Sequence, residues 1–236
     1  MIRMIPCIES GIPGFDDLTK SESAMGGIPE NSSTLVYGPA KTGKTIFSNQ
    51  FAYQGLLNDE PCLYIMTDQG IKQFEDMMFD FQRPINKFIE DKTLYTINTT
   101  SNISEGKPQK NENIVSSYIN NPTDIMVKVS YGVKYVNKNN PRFRSVLDSS
   151  TTLLAYNENM LILRVLKAYL MRINEAGGTS IITYTEDSAD KKVETILKTM
   201  VNNIVRLDGK ELTVEAMKGI GKRSSPYQIT DEGLVI

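Results

Sequence analysis

The chain has 236 residues, a formal net charge of −2, 40% hydrophobic and 23% charged residues, and no histidine. This composition suits one α/β domain able to bury a sizeable core, with no chain-wide basic field to attract nucleic acid. The missing histidine excludes Ser-His-Asp and Cys-His catalysis and any imidazole-ligated zinc site, and two cysteines, Cys7 and Cys62, are too few for a disulfide scaffold.

Residues 1–14 lack the charged, apolar and small-residue regions of a signal peptide. The longest apolar stretch, 160–173, is broken by Arg164, Lys167 and Arg172, so the expectation is a cytoplasmic protein with no membrane span. Residues 11–33, rich in Gly, Pro, Ser and charge, predict loop with short helical turns at most. A strand over 34–37 ends at Gly38. Helical spacing of Ile46, Phe47, Phe51, Leu56 and Leu57 predicts a helix over 45–57, with Asn58 as its stop. The run 62–66 reads as a buried strand that encloses a free Cys62 thiol, and 71–81 as a helix.

A strand is expected over 93–97. Residues 98–121, rich in Asn, Ser and Lys, read as an irregular surface excursion, with a helix over 118–135 at their end. The apolar run 143–147 closes on Asp148. Leu163, Leu166, Leu170 and Ile173 share one face of a helix over 160–176, which Gly177-Gly178 ends. Strands follow over 180–184, 204–207, 212–217 and 227–229. Alternating strands and helices give the fold class: α/β, with a mostly parallel sheet, helices on both faces and an antiparallel C-terminal edge.

Gly38-Pro39-Ala40-Lys41-Thr42-Gly43-Lys44-Thr45 satisfies the phosphate-loop pattern G-x-x-x-x-G-K-[ST] between a strand and a helix, with Ile46 continuing into the helix. Glycines let successive N–H groups turn inward as an anion nest, and the following helix adds its positive N-terminal dipole. Lys44 can reach β- and γ-phosphates, and the Thr45 hydroxyl can hold Mg²⁺. Such a loop also needs an acid at the end of a neighbouring strand. Asp148 fits that role; its competing reading is an N-cap ahead of Ser149-Ser150.

With these motifs in place, the chain resembles the KaiC-type branch of the RecA-like ATPases, archaeal RadA paralogues being the nearest neighbours within it. The resemblance rests on the lead-in 11–18 and 26–30, the loop 36–45, the strand 146–151, and 217–219 with 226–233 near the end. It implies one RecA-like domain over 1–236, ATP with Mg²⁺, and nucleotide held at the interface of a homo-oligomer. An acid after the second core strand would align the attacking water, and Asp68 of Asp68-Gln69 takes that place. As the shorter acid, its oxygen falls back by roughly 1.5 Å, one C–C bond, and a displacement of that order costs about a hundredfold in rate. In place of the family's Lys and Arg that reach a neighbour's γ-phosphate stand Ala216 and Lys218. The resemblance also puts Lys222, Arg223 and Asp231 near the base.

Three functions compete. The first is a slow Mg-dependent ATPase or nucleotide-dependent switch acting through a protein partner. The second is a DNA-binding accessory of recombination or repair, with Lys134, Lys138, Arg142 and Arg144 along a backbone groove beside Tyr131, Tyr135 and Phe143. The third is a sensor that binds ATP or ADP without turnover.

Overall fold

A computed structural model describes residues 4–100, 112–138 and 142–236. The chain enters through β1 (Cys7–Ile8), a single helical turn α1 (Phe15–Leu18) and β2 (Ile28–Pro29), which pairs with β1. The first long strand, β3 (Ser33–Gly38), is buried at every position and leads through the phosphate loop into α2 (Lys44–Leu57). Next come β4 (Cys62–Met66), α3 (Ile71–Asp80), the short α4 (Asn86–Glu90), β5 (Leu94–Asn98) and β6 (Ile114–Ser116). The middle of the chain forms α5 (Pro122–Val136), β7 (Phe143–Asp148), α6 (Ser150–Tyr156) and α7 (Asn159–Glu175). It closes with β8 (Gly178–Thr185), α8 (Lys191–Met200), β9 (Asn203–Leu207), β10 (Glu211–Ala216), β11 (Arg223–Pro226) and a hairpin of β12 (Gln228–Thr230) and β13 (Gly233–Val235).

The main sheet has the order β11-β10-β9-β3-β8-β7-β4-β5-β6. From β9 to β6 all neighbours run parallel, and β10 and β11 add an antiparallel edge. Alternate residues of each strand point to opposite faces. Val36, Tyr64, Val146 and Ile181 therefore face α2, α3 and the chain ends, while Leu35, Ile65, Leu147 and Ile182 face α5, α7 and α8. Cys62 is fully buried as a free thiol, and burial pushes its pKa up to about 12. No helix among the described residues is long and apolar enough to cross a membrane.

Three expectations change. Within 98–121, Ile114–Ser116 is not an irregular excursion but a strand parallel to β5, anchored by the buried Asn113 amide, which donates to Ile89 O and Leu94 O. Residues 101–111 of that stretch lie outside those described. The helix expected from 118 starts at Pro122, because Asn121 caps it through the Asp124 N–H and proline at the first position fixes a helical φ. Helix α8 was not expected: its sequence is mostly polar, with only Val193 and Leu197 buried, but Asp190 caps it on the Val193 N–H.

Arg144 on β7 is buried, not groove-lining. Its Nε donates to Glu60 at 2.7 Å, its Nη1 donates to Glu9 O and Phe51 O at 2.8 Å each, and the guanidinium stacks 4.6 Å from the Phe51 ring centre. A Cβ on Gly55 would lie 2.3 Å from Arg144 Cδ, so the helix has a glycine where the arginine passes. Removing one partner of such a pair leaves a buried charge alone. Arg144→Ala is expected to lower unfolding free energy by about 3–5 kcal/mol, read by urea titration. Gly55→Ala is expected to cost about 1–3 kcal/mol by overpacking. Full stability in both variants would refute this reading of the arginine.

Candidate nucleotide site

The site opens at the carboxyl ends of β3, β8, β7 and β4, where an open parallel sheet presents its ligand crevice. Here β3 and α2 are joined by the phosphate loop, and a cavity of about 360 Å³ lies above it. Its lining includes Ala40, Lys41, Thr42, Gly43, Lys44, Thr45 and Ile46, with Asp68 from the end of β4 and Asp148 from the end of β7. Gly38 and Pro39 form the base of the loop. Gly38 has φ 147°, and a Cβ there would lie 1.8 Å from Leu207 O, so only glycine lets the loop leave β3 against β9.

Lys44 is buried and donates to Gly38 O at 3.0 Å and to Pro39 O at 2.5 Å. Burial lowers its pKa, and Asp148 and Glu186 oppose that shift. Asp148 is buried too. Desolvation raises its pKa to about 6, while donated hydrogen bonds from the Thr183 and Thr45 hydroxyls pull it down. One hydroxyl and one under-compensated carboxylate, side by side, are the oxygen donors that a hard divalent cation takes. The donor set fits Mg²⁺: the cation's charge would offset the burial that now penalises the ionised carboxylate.

Asp68 lines the same cavity. Its Oδ2 accepts from Ser149 Oγ at 2.9 Å and its Oδ1 from Thr152 Oγ1, while Thr67 Oγ1 lies 3.4 Å from Oδ1. The loop is held from the other side by the C-terminal hairpin. Tyr227 donates its hydroxyl to Thr42 O at 2.6 Å and accepts from the Gly209 N–H at 3.0 Å. Gln50 on α2 donates to Leu234 O and accepts from Leu234 N–H, which pins β13 to the loop's own helix.

Not every expected residue joins the cavity. Asp231 lies exposed in the β12–β13 turn, and the hairpin contributes Ile229 to the lining instead. Arg223 and Lys222 are displaced by the direction of β11: Arg223 pairs with Val214, away from the loop, and donates to Leu18 O. Ala216 and Lys218 follow β10 to the end of the sheet opposite the chain's own loop, where Lys218 borders a separate cavity with Met4, Pro29 and Asn202. Of the four basic residues proposed for a DNA groove, Lys134, Lys138 and Arg142 are exposed, Arg142 pairing with Glu30, but Arg144 is enclosed. The sequence reading missed Tyr227, Thr183, Ser149 and Thr152 as site-forming hydroxyls, and Met77, Phe81 and Ile229 as apolar lining. The run Ser149-Ser150-Thr151-Thr152 after the acid was the available signal.

The family model described as ATPase: KaiC matches residues 8–236. The chain belongs to the KaiC ATPase family. Among curated relatives, a UPF0273 protein of Thermotoga maritima is 28% identical over 99% of this chain and 96% of its own length. One of Pyrococcus furiosus is 25% identical over 99% and 94%. The circadian clock oscillator protein KaiC of Prochlorococcus marinus is 26% identical over 97% of this chain, which spans 44% of that longer protein. The crystal structure of a KaiC-like protein from Pyrococcus horikoshii matches the fold with a TM-score of 0.76 at 23% identity, covering 98% of both chains. The protein is thus an ATP-binding KaiC-like protein with a RecA-type core.

Two outcomes follow from this geometry. Tyr227→Phe removes the hydroxyl between Thr42 and Gly209 and is expected to cost about 1–2 kcal/mol, seen in urea unfolding together with weaker ATP binding by calorimetry. Asp148 binds its proton more tightly folded than unfolded, so its stabilising contribution is complete below about pH 4 and lost as pH rises through about 6. Asp148→Asn keeps an acceptor for Thr183 and removes the buried charge. In nucleotide-free protein its thermal midpoint is expected to exceed the wild type's at pH 8, by on the order of 5 °C, with the gap closing towards pH 4. An equal gap at both pH values would refute the assignment.

Proposed function

We propose that the protein is a slow Mg-dependent ATPase whose nucleotide state acts as a switch on a protein partner. The observation that supports it is the convergence of Lys44, Thr45, Asp68 and Asp148 on one 360 Å³ cavity above the phosphate loop. Phosphoryl transfer asks little covalent chemistry of a protein beyond position and charge. The loop's N–H groups, with those of Gly43, Lys44 and Thr45 at the start of α2, face the phosphates. Lys44 exchanges its two carbonyl acceptors for phosphate oxygens, which are stronger acceptors because they are charged. Thr45 and Asp148 would hold Mg²⁺, which would neutralise charge on the phosphate oxygens.

Asp68 then accepts a hydrogen bond from water placed in line with the γ-phosphorus. The water oxygen bonds to phosphorus, the bond to the β–γ bridging oxygen breaks, ADP leaves with that electron pair, and the water's proton passes through Asp68 to phosphate or solvent. In this reading Lys218, at the far end of the sheet from the chain's own loop, reaches the nucleotide of a second copy stacked head to tail. Lysine lacks arginine's bidentate fork, which agrees with slow turnover.

Calorimetric titration with ATP and Mg²⁺ is expected to give saturable binding. Lys44→Ala is expected to weaken it about 10–100-fold, from the loss of charge-assisted hydrogen bonds of about 1.5–3 kcal/mol, and to abolish phosphate release. Equal phosphate release by wild type and Lys44→Ala would remove the ATPase reading. Mass measurement in solution with and without ATP tests the stacked arrangement.

A further inference from the structure

The shortened acid is built into a cradle of hydroxyls. Asp68 stands exposed at the end of β4, where an aspartate free to rotate would spend little time aimed at a water. Two hydroxyls donate to it. Ser149 Oγ donates to Oδ2 at 2.9 Å, and Thr152 Oγ1 donates to Oδ1. Both donors are themselves fixed. The Thr67 hydroxyl donates to Ser149 O at 2.9 Å and accepts from the Ser149 N–H at 2.6 Å, so the ends of β4 and β7 are stitched together beneath the carboxylate. Thr152 sits one turn into α6, on a helix that begins directly after β7.

An ionised carboxylate has about four lone-pair sites. Two hydroxyls engage one lone pair on each oxygen, and the others remain for water in the cavity that Asp68 lines. We infer that Ser149 and Thr152 are positioning residues for ATP hydrolysis, holding the Asp68 carboxylate in an orientation that keeps a lone pair for the attacking water. This deepens the ATPase reading and rests on it. The cradle is sized for aspartate. Glutamate at the same place carries its carboxylate one carbon further, beyond both hydroxyls, so the longer acid is not an improvement here.

The test is steady-state phosphate release across Thr152→Val, Thr152→Ser, Asp68→Asn, Asp68→Glu and the double variant Asp68→Asn/Thr152→Val. Thr152 is only half-buried, so Thr152→Val is compatible with folding, and Ser149→Ala serves as a second probe. Thr152→Val is expected to lower kcat about 10–100-fold, the cost of a misplacement near 1 Å, with KM for ATP changed less than threefold. Thr152→Ser is expected to restore kcat because it returns the hydroxyl. The double variant is expected to be no slower than Asp68→Asn alone, since both changes act through one carboxylate, and Asp68→Glu is expected to be slower than wild type. If Asp68→Asn abolishes turnover while Thr152→Val and Ser149→Ala leave kcat intact, the positioning role is overturned and the ATPase reading stands. If wild type releases no phosphate, both are overturned; if Asp68→Asn releases it unimpaired, the positioning role is overturned and hydrolysis proceeds without Asp68.

Discussion

The spacing between α2 and β7 governs everything at the site, and a buried cation sets it. Arg144 and Asp148 lie on the same face of β7, four residues apart, with Val146 between them in the core. At one end of that strand the guanidinium ties β7 to the Phe51 carbonyl of α2, to Glu9 of the entering chain and to Glu60. At the other end Asp148 meets Thr45 of the same helix. The helix and strand are therefore fastened at both ends, with apolar packing between. One terminal nitrogen, Arg144 Nη2, is buried without a hydrogen-bond partner, so the arrangement carries a desolvation cost that an apolar contact would not. A guanidinium reaches three separate segments with fixed directionality, and no aliphatic side chain does that.

The phosphate loop is held between two walls on the same plan. Below it, Gly38 presses on the last residue of β9; above it, Tyr227 grips Thr42 while Gln50 fastens the following hairpin to α2. A loop that must present converging N–H groups to phosphate cannot satisfy them internally, so its shape has to be imposed by neighbours. These are strand ends and a hairpin far away in sequence, which is why the C-terminal thirty residues matter to a loop near residue 40.

This explains what was legible in the sequence. The strand–loop–helix around Gly38, the strands at 62–66 and 143–147 and the helix at 160–176 each carry their signal locally, in apolar period or glycine placement. Lys44 and Thr45 could be named from the loop motif and Asp148 from its strand end, while Asp68 was reached through the family resemblance, and the structure brings all four to one cavity. Arg144 was misread because a charge in a strand reads as exposed unless its partners are known, and Glu60, Glu9 and Phe51 are remote or belong to other elements. The Tyr227 clamp spans 185 residues and has no local trace. Helix α8 does carry a local signal, Val193, Ile196, Leu197 and Met200 at helical spacing on one face, and it was passed over because six of its ten residues are polar.

The five residues from Asp148 to Thr152 join the two halves of the site. Asp148 takes its position from the sheet, is buried and faces Thr45; Thr152, one helical turn on, takes its position from α6 and faces Asp68. A shift at the Asp148 end of β7 therefore carries the start of α6 with it, and with α6 the hydroxyl that meets Asp68. In the proposed ATPase, binding and water placement are then not independent properties of two remote residues. They are linked by a short rigid segment whose first residue is held by α2 and whose last holds Asp68. In a site where the acid is one carbon short, that linkage supplies from the hydroxyl side the orientation that a longer side chain would otherwise have to find by reach.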